Sequence, residues 1–337
     1  MHARLYSDAV AESTAVSTGS LPSAELVQAR LIEAHARYGR VAEGAVADYI
    51  PALAQVPRDV FGLCLVGTSG GTYVAGDCSH AFSIQSIAKP FVFALVCQAL
   101  GGGEARRRIG VNSSGLPFNS VMAIELHAER TVNPMVNAGA IATTSLAPGA
   151  TAVEKWHFIQ DGLSRFAGRP LLLDPEVYRS EAANNARNEG IASLLASYGR
   201  MYCEPREATD VYTRQCSLSV TVQDLAAMGA TLADGGVNPL TGERVLDAER
   251  CRRVLSVMAT AGMYEQSGDW LYEVGLPGKS GVSGGIVAIA PGKGALATFA
   301  PRLDEAGNSV QGQLAIRFLS QQLGLNLFAS AAARRRY

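Results

Sequence analysis

Lysine is scarce in this chain of 337 residues. Of 29 basic side chains only Lys89, Lys155, Lys279 and Lys293 are lysines, and the rest are arginines. Surface positive charge is therefore written as arginine. A lysine is kept where arginine cannot serve, because a desolvated lysine can lose its proton and an arginine effectively cannot. Charge of one sign is also missing: 29 basic residues face 30 acidic ones, a formal net charge of −1. That leaves no electrostatic reason to expect nucleic acid or an anionic membrane as a partner. No apolar run reaches the roughly 18 residues of a membrane span. The first 23 residues are rich in Ser, Ala and Thr and lack the apolar stretch of an export signal. Six cysteines (Cys64, Cys78, Cys97, Cys203, Cys216, Cys251) stand singly without a Cys-x-x-Cys, and the five histidines are equally dispersed. Neither a disulfide framework nor a metal or other cofactor is expected; buried free thiols in a reducing cytoplasm fit this usage.

What is present is apolar: 48% of the residues are hydrophobic and 18% charged, enough for a sizeable core. Residues 1–22 read as a loose N-terminal arm and 329–337 as an Arg-rich tail. From Ser23, a possible N-cap, SAELVQARLIEAHARYG reads as an amphipathic helix. Val60–Gly67 and Thr72–Ala75, joined by a Ser-Gly-Gly turn, read as a hairpin. Helical patterns dominate from about 85 to 262. Strands return at Gly281–Ala290 and Ala295–Ala300 around a Pro-Gly-Lys-Gly turn, and a last helix runs from about Ser309 to Leu323. The economical arrangement is α/β of the α+β type: one sheet from about 59–76 and 281–300, flanked by helices, with a helical insertion, all within 23–328.

The stretch Phe82-Ser-Ile-Gln-Ser-Ile-Ala-Lys-Pro-Phe91 holds Ser86 and Lys89 three residues apart, ahead of an apolar run to Leu100. It reads as a buried helix with both residues in its first turn, where i and i+3 are neighbours and Pro90 is tolerated. Free N–H groups and the positive dipole end gather there, which suits a serine oxygen passing through an anionic state. A snorkelling lysine at a helix end is the structural alternative. Downstream, Lys279-Ser280-Gly281 has the Lys-Ser/Thr-Gly form that accompanies Ser-x-x-Lys in penicillin-recognising serine enzymes. Beside it the N–H of Val282 is a candidate oxyanion donor with that of Ser86. Asn133–Ile141 is rich in Asn and Gly, which plain loop chemistry also explains. Glu181, Asn185 and Asn188 fall at i, i+4 and i+7, one polar helical stripe that reads equally as a solvated face. Tyr212 and Tyr264 are phenols beside small or polar residues.

Together these stretches resemble the serine-dependent glutaminases. The matching segments are DYIPAL at 48–53, FSIQSIAKPF at 82–91, NPMVNAGAI at 133–141 and YRSEAANNARN at 178–188, then YTRQCSL at 212–218, GMYEQSG at 262–268, GKSGVSGGI at 278–286 and LDEAGNSVQG at 303–312. The resemblance spans about residues 24–328 and implies a β-lactamase/DD-peptidase-like fold with an antiparallel sheet. It implies Ser86 as nucleophile, Lys89 as its base, and Tyr264 as a proton relay to the leaving group. Asn137, Glu181, Asn188, Tyr212, Tyr264 and the backbone of Val282 would line a glutamine site, with Tyr49 on a lid over it. Glu181 suits the substrate ammonium; asparagine amides and phenols suit its carboxylate. The implied reaction is hydrolysis of L-glutamine to L-glutamate and ammonia, without cofactor or metal, in a homodimer or homotetramer. The competing reading is a β-lactamase, DD-peptidase or esterase on the same fold. Such enzymes normally work outside the cytoplasm and carry a Ser-Asp-Asn triplet that this sequence does not offer between its two motifs. A binding protein on a retired enzyme fold is disfavoured because serine, lysine and the Lys-Ser-Gly strand are all intact.

Overall fold

The computed structural model describes residues 19–130 and 132–330; most of the N-terminal arm and of the Arg-rich tail lies outside them. Five strands form one sheet: β1 (Gly62–Gly67), β2 (Thr72–Gly76), β5 (Gly278–Ser280), β6 (Gly285–Ala290) and β7 (Gly294–Phe299). Their order is β2-β1-β7-β6-β5, and every neighbouring pair is antiparallel. Chain-distant segments thus share one sheet, with Leu65 of β1 opposite Leu296 of β7. A second, two-stranded ribbon pairs β3 (Phe82–Ser83) with β4 (Ser219–Val220).

Four of the five strands are buried throughout, the edge strand β2 being partly exposed, and alternation sorts their side chains. Cys64, Val66, Val287, Ile289, Ala297 and Phe299 pack into one core with the helices Ala88–Leu100, Ala152–Ala167, Val222–Ala233 and Ala248–Ala261. Leu63, Leu65, Ile286, Ala288 and Leu296 pack into another with Ala24–Tyr38, Ser267–Val274 and Val310–Gln322. A third core joins Asn137–Ser145, Ala186–Ser197 and Pro205–Cys216 without any strand. The helix-rich stretch from 85 to 262 therefore does two jobs: part of it covers the sheet, and part builds a separate helical core.

Local expectations meet the structure unevenly. Ser23 caps the helix Ala24–Tyr38, its Oγ accepting from the Leu26 N–H, and Ser309 caps Val310–Gln322. The strand expected at Gly281–Ala290 is shorter. Bonds from the Gly281 N–H to the Gly285 carbonyl and from the Gly284 N–H to the Gly281 carbonyl close a turn there. Lys279 and Ser280 consequently lie on a separate edge strand, β5. The single helical stripe expected over 181–188 is two helices, Pro175–Ala182 and Ala186–Ser197, meeting at a corner. Asparagine competes for backbone bonds and ends helices: Asn184 Nδ2 bonds back to the Ser180 carbonyl, and Asn185 flanks the second helix.

Candidate active site

Ser86 sits in a single 3₁₀ turn, Gln85–Ile87, that runs directly into the helix Ala88–Leu100. It lies just ahead of the α-helix, one step earlier than the sequence spacing implies. Every residue from Ala88 to Cys97 is buried, so this helix is fixed on all sides and holds the turn rigidly. Lys89 Nζ reaches Ser86 Oγ at 2.9 Å and Asn137 Oδ1 at 2.7 Å. Gln85 and Tyr264 are two of the three non-glycine residues with left-handed backbone among the described residues, at φ of 51° and 56°. Such conformations cost of order 1–3 kcal/mol and persist where the surroundings impose them.

Close backbone approach assembles the remaining parts. A Cβ on Gly139 would lie 1.9 Å from the Asn133 carbonyl oxygen, and one on Gly262 would lie 1.8 Å from that of Gly278. The first glycine lets the helix starting at Asn137 press against its own approach loop. The second lets the Tyr264 turn press against β5. Tyr264 bonds to the Ser280 carbonyl at 3.2 Å, and Lys279 Nζ, which bonds to the same oxygen, lies 4.3 Å from the Tyr264 ring centre. Outside helices and strands, neither the Ser86 nor the Val282 N–H donates to a backbone carbonyl among the described residues, which suits a pair of oxyanion donors.

In front of Ser86 opens a cavity of about 410 Å³, within the range of small-molecule sites. Its lining includes Tyr49, Ser86, Asn137, Glu181, Asn188, Tyr212 and Val282. Lys89 and Tyr264 stand behind that wall, both buried. Tyr49 is 57% exposed at the mouth. Sequence reasoning does not assign Ile50, Gln85, Phe118, Asn119, Asn184, Asn185, Arg187 or Cys216, which also line it. Gln85 is legible as the neighbour of Ser86; its Nε2 donates to Glu181 Oε1 at 2.5 Å and to Ser83 Oγ at 3.1 Å. Asn185 belongs to the polar stripe. Phe118 and Asn119 carry no local signal, since tertiary folding brings them in.

Burial sets the electrostatics. It pushes Lys89 down to about 8, against the pull of Cys216 and Glu181. It pushes Glu181 up to about 7, opposed by the Gln85 hydrogen bond and by Lys89. Lys279 is pushed well below its ordinary value by burial and then by the charge of Lys89. Burial also raises the Tyr212 and Tyr264 phenols. Among the described residues no group of three or more His, Cys, Asp or Glu side chains is placed to hold a metal, and no helix is long and apolar enough to cross a membrane.

The sequence and the fold have close counterparts. "Glutaminase 2" of Yersinia pestis is 60% identical over 315 residues, covering 94% of this chain and 93% of that protein. The solved structure of a probable glutaminase, ybaS, superposes with a TM-score of 0.90 at 45% identity, covering 92% of this chain and all of the other. Mglu, solved "in its glutamate form", superposes with a TM-score of 0.86 at 41% identity over 90% of this chain and 70% of its own. The glutaminase family model matches residues 44–328, and this chain belongs to the glutaminase family, amidohydrolases with the β-lactamase-like fold.

Proposed function

We propose that the cavity binds L-glutamine and that Ser86 hydrolyses its γ-carboxamide through an acyl-enzyme. The observation that carries this reading is the 2.9 Å contact between Ser86 Oγ and a buried Lys89 Nζ, at the floor of a cavity that also presents Glu181. Lys89, neutral, takes the Ser86 proton as Oγ attacks the amide carbon. The N–H groups of Ser86 and Val282 hold the oxygen that becomes negative. The C–N bond breaks, ammonia leaves with a proton relayed through Tyr264, and water then cleaves the acyl-enzyme to give L-glutamate and free Ser86. Glu181 pairs with the substrate ammonium; the amide N–H groups of Asn137 and Asn188 receive its carboxylate, with Tyr212 beside them; Tyr49 covers the mouth. Glutamate is the molecule named in the Mglu structure, and it is the product of this scheme. The site requires no cofactor.

The six cysteines are free, which supports a reducing, cytoplasmic setting. Residues 23–328 form the catalytic domain. Exposed Leu126, Leu172, Tyr272 and Phe328 support self-association as a homodimer or homotetramer, and sedimentation at several concentrations measures it. The catalytic reading is tested by ammonia release from L-glutamine and L-asparagine beside turnover of a chromogenic cephalosporin. Selective glutamine hydrolysis is expected; cephalosporin turnover with no ammonia from glutamine overturns the reading.

A further inference from the structure

Behind the cavity wall a chain of hydrogen bonds leaves Lys89 and crosses three more helices. Lys89 Nζ donates to Asn137 Oδ1 at 2.7 Å, and Asn137 Nδ2 donates to Asn188 Oδ1 at 3.0 Å. Asn188 Nδ2 donates to Asn185 Oδ1 at 2.9 Å, and Asn185 Nδ2 donates to Thr213 Oγ1 at 2.8 Å. The buried Thr213 hydroxyl gives its one proton to the Thr209 carbonyl at 2.8 Å, a bond back along its own helix.

Such a chain has a direction. An amide accepts at oxygen and donates at nitrogen, and a hydroxyl has one proton. With that proton on Thr209, Thr213 can only accept, so Asn185 must turn its nitrogen to it. Asn188 and then Asn137 are turned in sequence, and Asn137 presents its oxygen to Lys89. The Tyr212 hydroxyl donates to the same oxygen at 3.3 Å. A neutral lysine has two N–H bonds and one lone pair. With Asn137 Oδ1 taking an N–H, the lone pair is left for the proton on Ser86. In the reversed chain Asn137 Nδ2 would point at Lys89 and occupy that lone pair. We propose that Asn185 and Thr213 are positioning residues that, through Asn188 and Asn137, aim the lone pair of Lys89 at Ser86.

This inference rests on Lys89 being the base. Besides Asn137, the groups facing Lys89 are Tyr212 and Cys216 from Pro205–Cys216, Glu181 from Pro175–Ala182 and Lys279 from β5. None of them is altered by a change at Thr213. Replacing Thr213 by valine keeps the shape and removes the terminal acceptor, so the amides are free to turn. The reversed chain takes an acceptor from the Lys89 ammonium and offers a donor to the neutral amine. The rising limb of the pH–rate profile therefore moves to lower pH, while the plateau falls because the lone pair is engaged.

The test is the pH dependence of kcat for glutamine hydrolysis in wild type, Thr213→Val, Thr213→Ala, Thr213→Ser and Lys89→Arg, with folding followed by thermal unfolding. Thr213→Val is expected to lower the plateau by roughly ten- to a hundredfold and to move the limb down by about half a unit. Thr213→Ser is expected to restore both. Should the valine variant fail to fold, the alanine variant carries the same expectation. A wild-type profile in Thr213→Val, a lowered plateau with an unmoved limb, or a serine variant as impaired as the valine one each overturns the positioning role. Retained activity in Lys89→Arg would instead remove the base reading itself, so the two failures are distinguishable.

Discussion

All four lysines are buried, yet they fall into two pairs with opposite surroundings. Lys155 Nζ donates to the carbonyls of Ser145 and Ala147 at 3.1 and 2.5 Å, at the C-terminal end of the helix Asn137–Ser145. Lys293 Nζ donates to the Gly324 carbonyl at 3.1 Å, just past the helix Val310–Gln322. These two meet orphan carbonyls and the negative end of a helix dipole, where a cation is favoured. Lys89 lies instead in the first turn of its helix, at the positive end. It stands near Lys279, whose charging its own charge opposes. Burial pushes Lys293 down as well, so burial alone does not make a base. Lys155 and Lys293 bond to carbonyls at helix ends, whereas Lys89 bonds to the Ser86 hydroxyl and the Asn137 amide at a helix start, the setting that suits the proposed base.

The largest effect expected to sharpen this contrast is at the nucleophile. Ser86→Ala removes the atom that forms the covalent bond and leaves the packing intact, so glutamine turnover should fall at least about a thousandfold with unchanged thermal unfolding. Near-normal turnover in the folded variant would detach Lys89 from any catalytic role. Next comes Glu181→Gln. A charge-assisted contact is worth about 1.5–3 kcal/mol, so kcat/KM for glutamine should drop by about ten- to a hundredfold. No change would place Glu181 outside the substrate contacts. Lys155→Met tests the other member of the comparison. It leaves two helix-end carbonyls without their donor, at about 1–3 kcal/mol, and should lower thermal stability while kcat stays within about twofold. A large loss of kcat there would erase the distinction between the pairs. The mildest expectation concerns wild type. The proposed mechanism needs Lys89 neutral and Glu181 ionised, and burial brings them to about 8 and about 7. Both conditions are met as pH rises, so kcat/KM should climb through that window; a profile already flat from pH 5 upward would contradict it.

Much of this architecture is legible in the amino-acid sequence. An apolar β-branched run and a glycine turn mark the hairpin β1–β2, and the Ser86–Lys89 spacing stands out by its place ahead of an apolar run. Lysine scarcity points to Lys89 and Lys279, but the same argument applies equally to Lys155 and Lys293, which cap helices. Composition records that a lysine is kept, and only the fold shows whether carbonyls await it. The corner at 183–185 is hidden because a 3.6-residue stripe continues across it, although the three side chains reach the site from two helices. The turn at 281–284 is masked because its small residues run directly into the apolar strand β6. Phe118 and Asn119 enter the cavity by long-range packing, which no local pattern encodes.

The central claim is that Lys89 can be neutral at working pH, and the four lysines make it directly measurable. With lysine labelled selectively at Nζ, NMR observes four side-chain nitrogens, and the signal lost in Lys89→Arg identifies the one at the site. The account predicts that this signal titrates at about 8, where burial places it. A Lys89 signal that stays protonated up to the ordinary lysine value of about 10.4 would contradict it, and would leave Lys89 a fixed charge rather than a base.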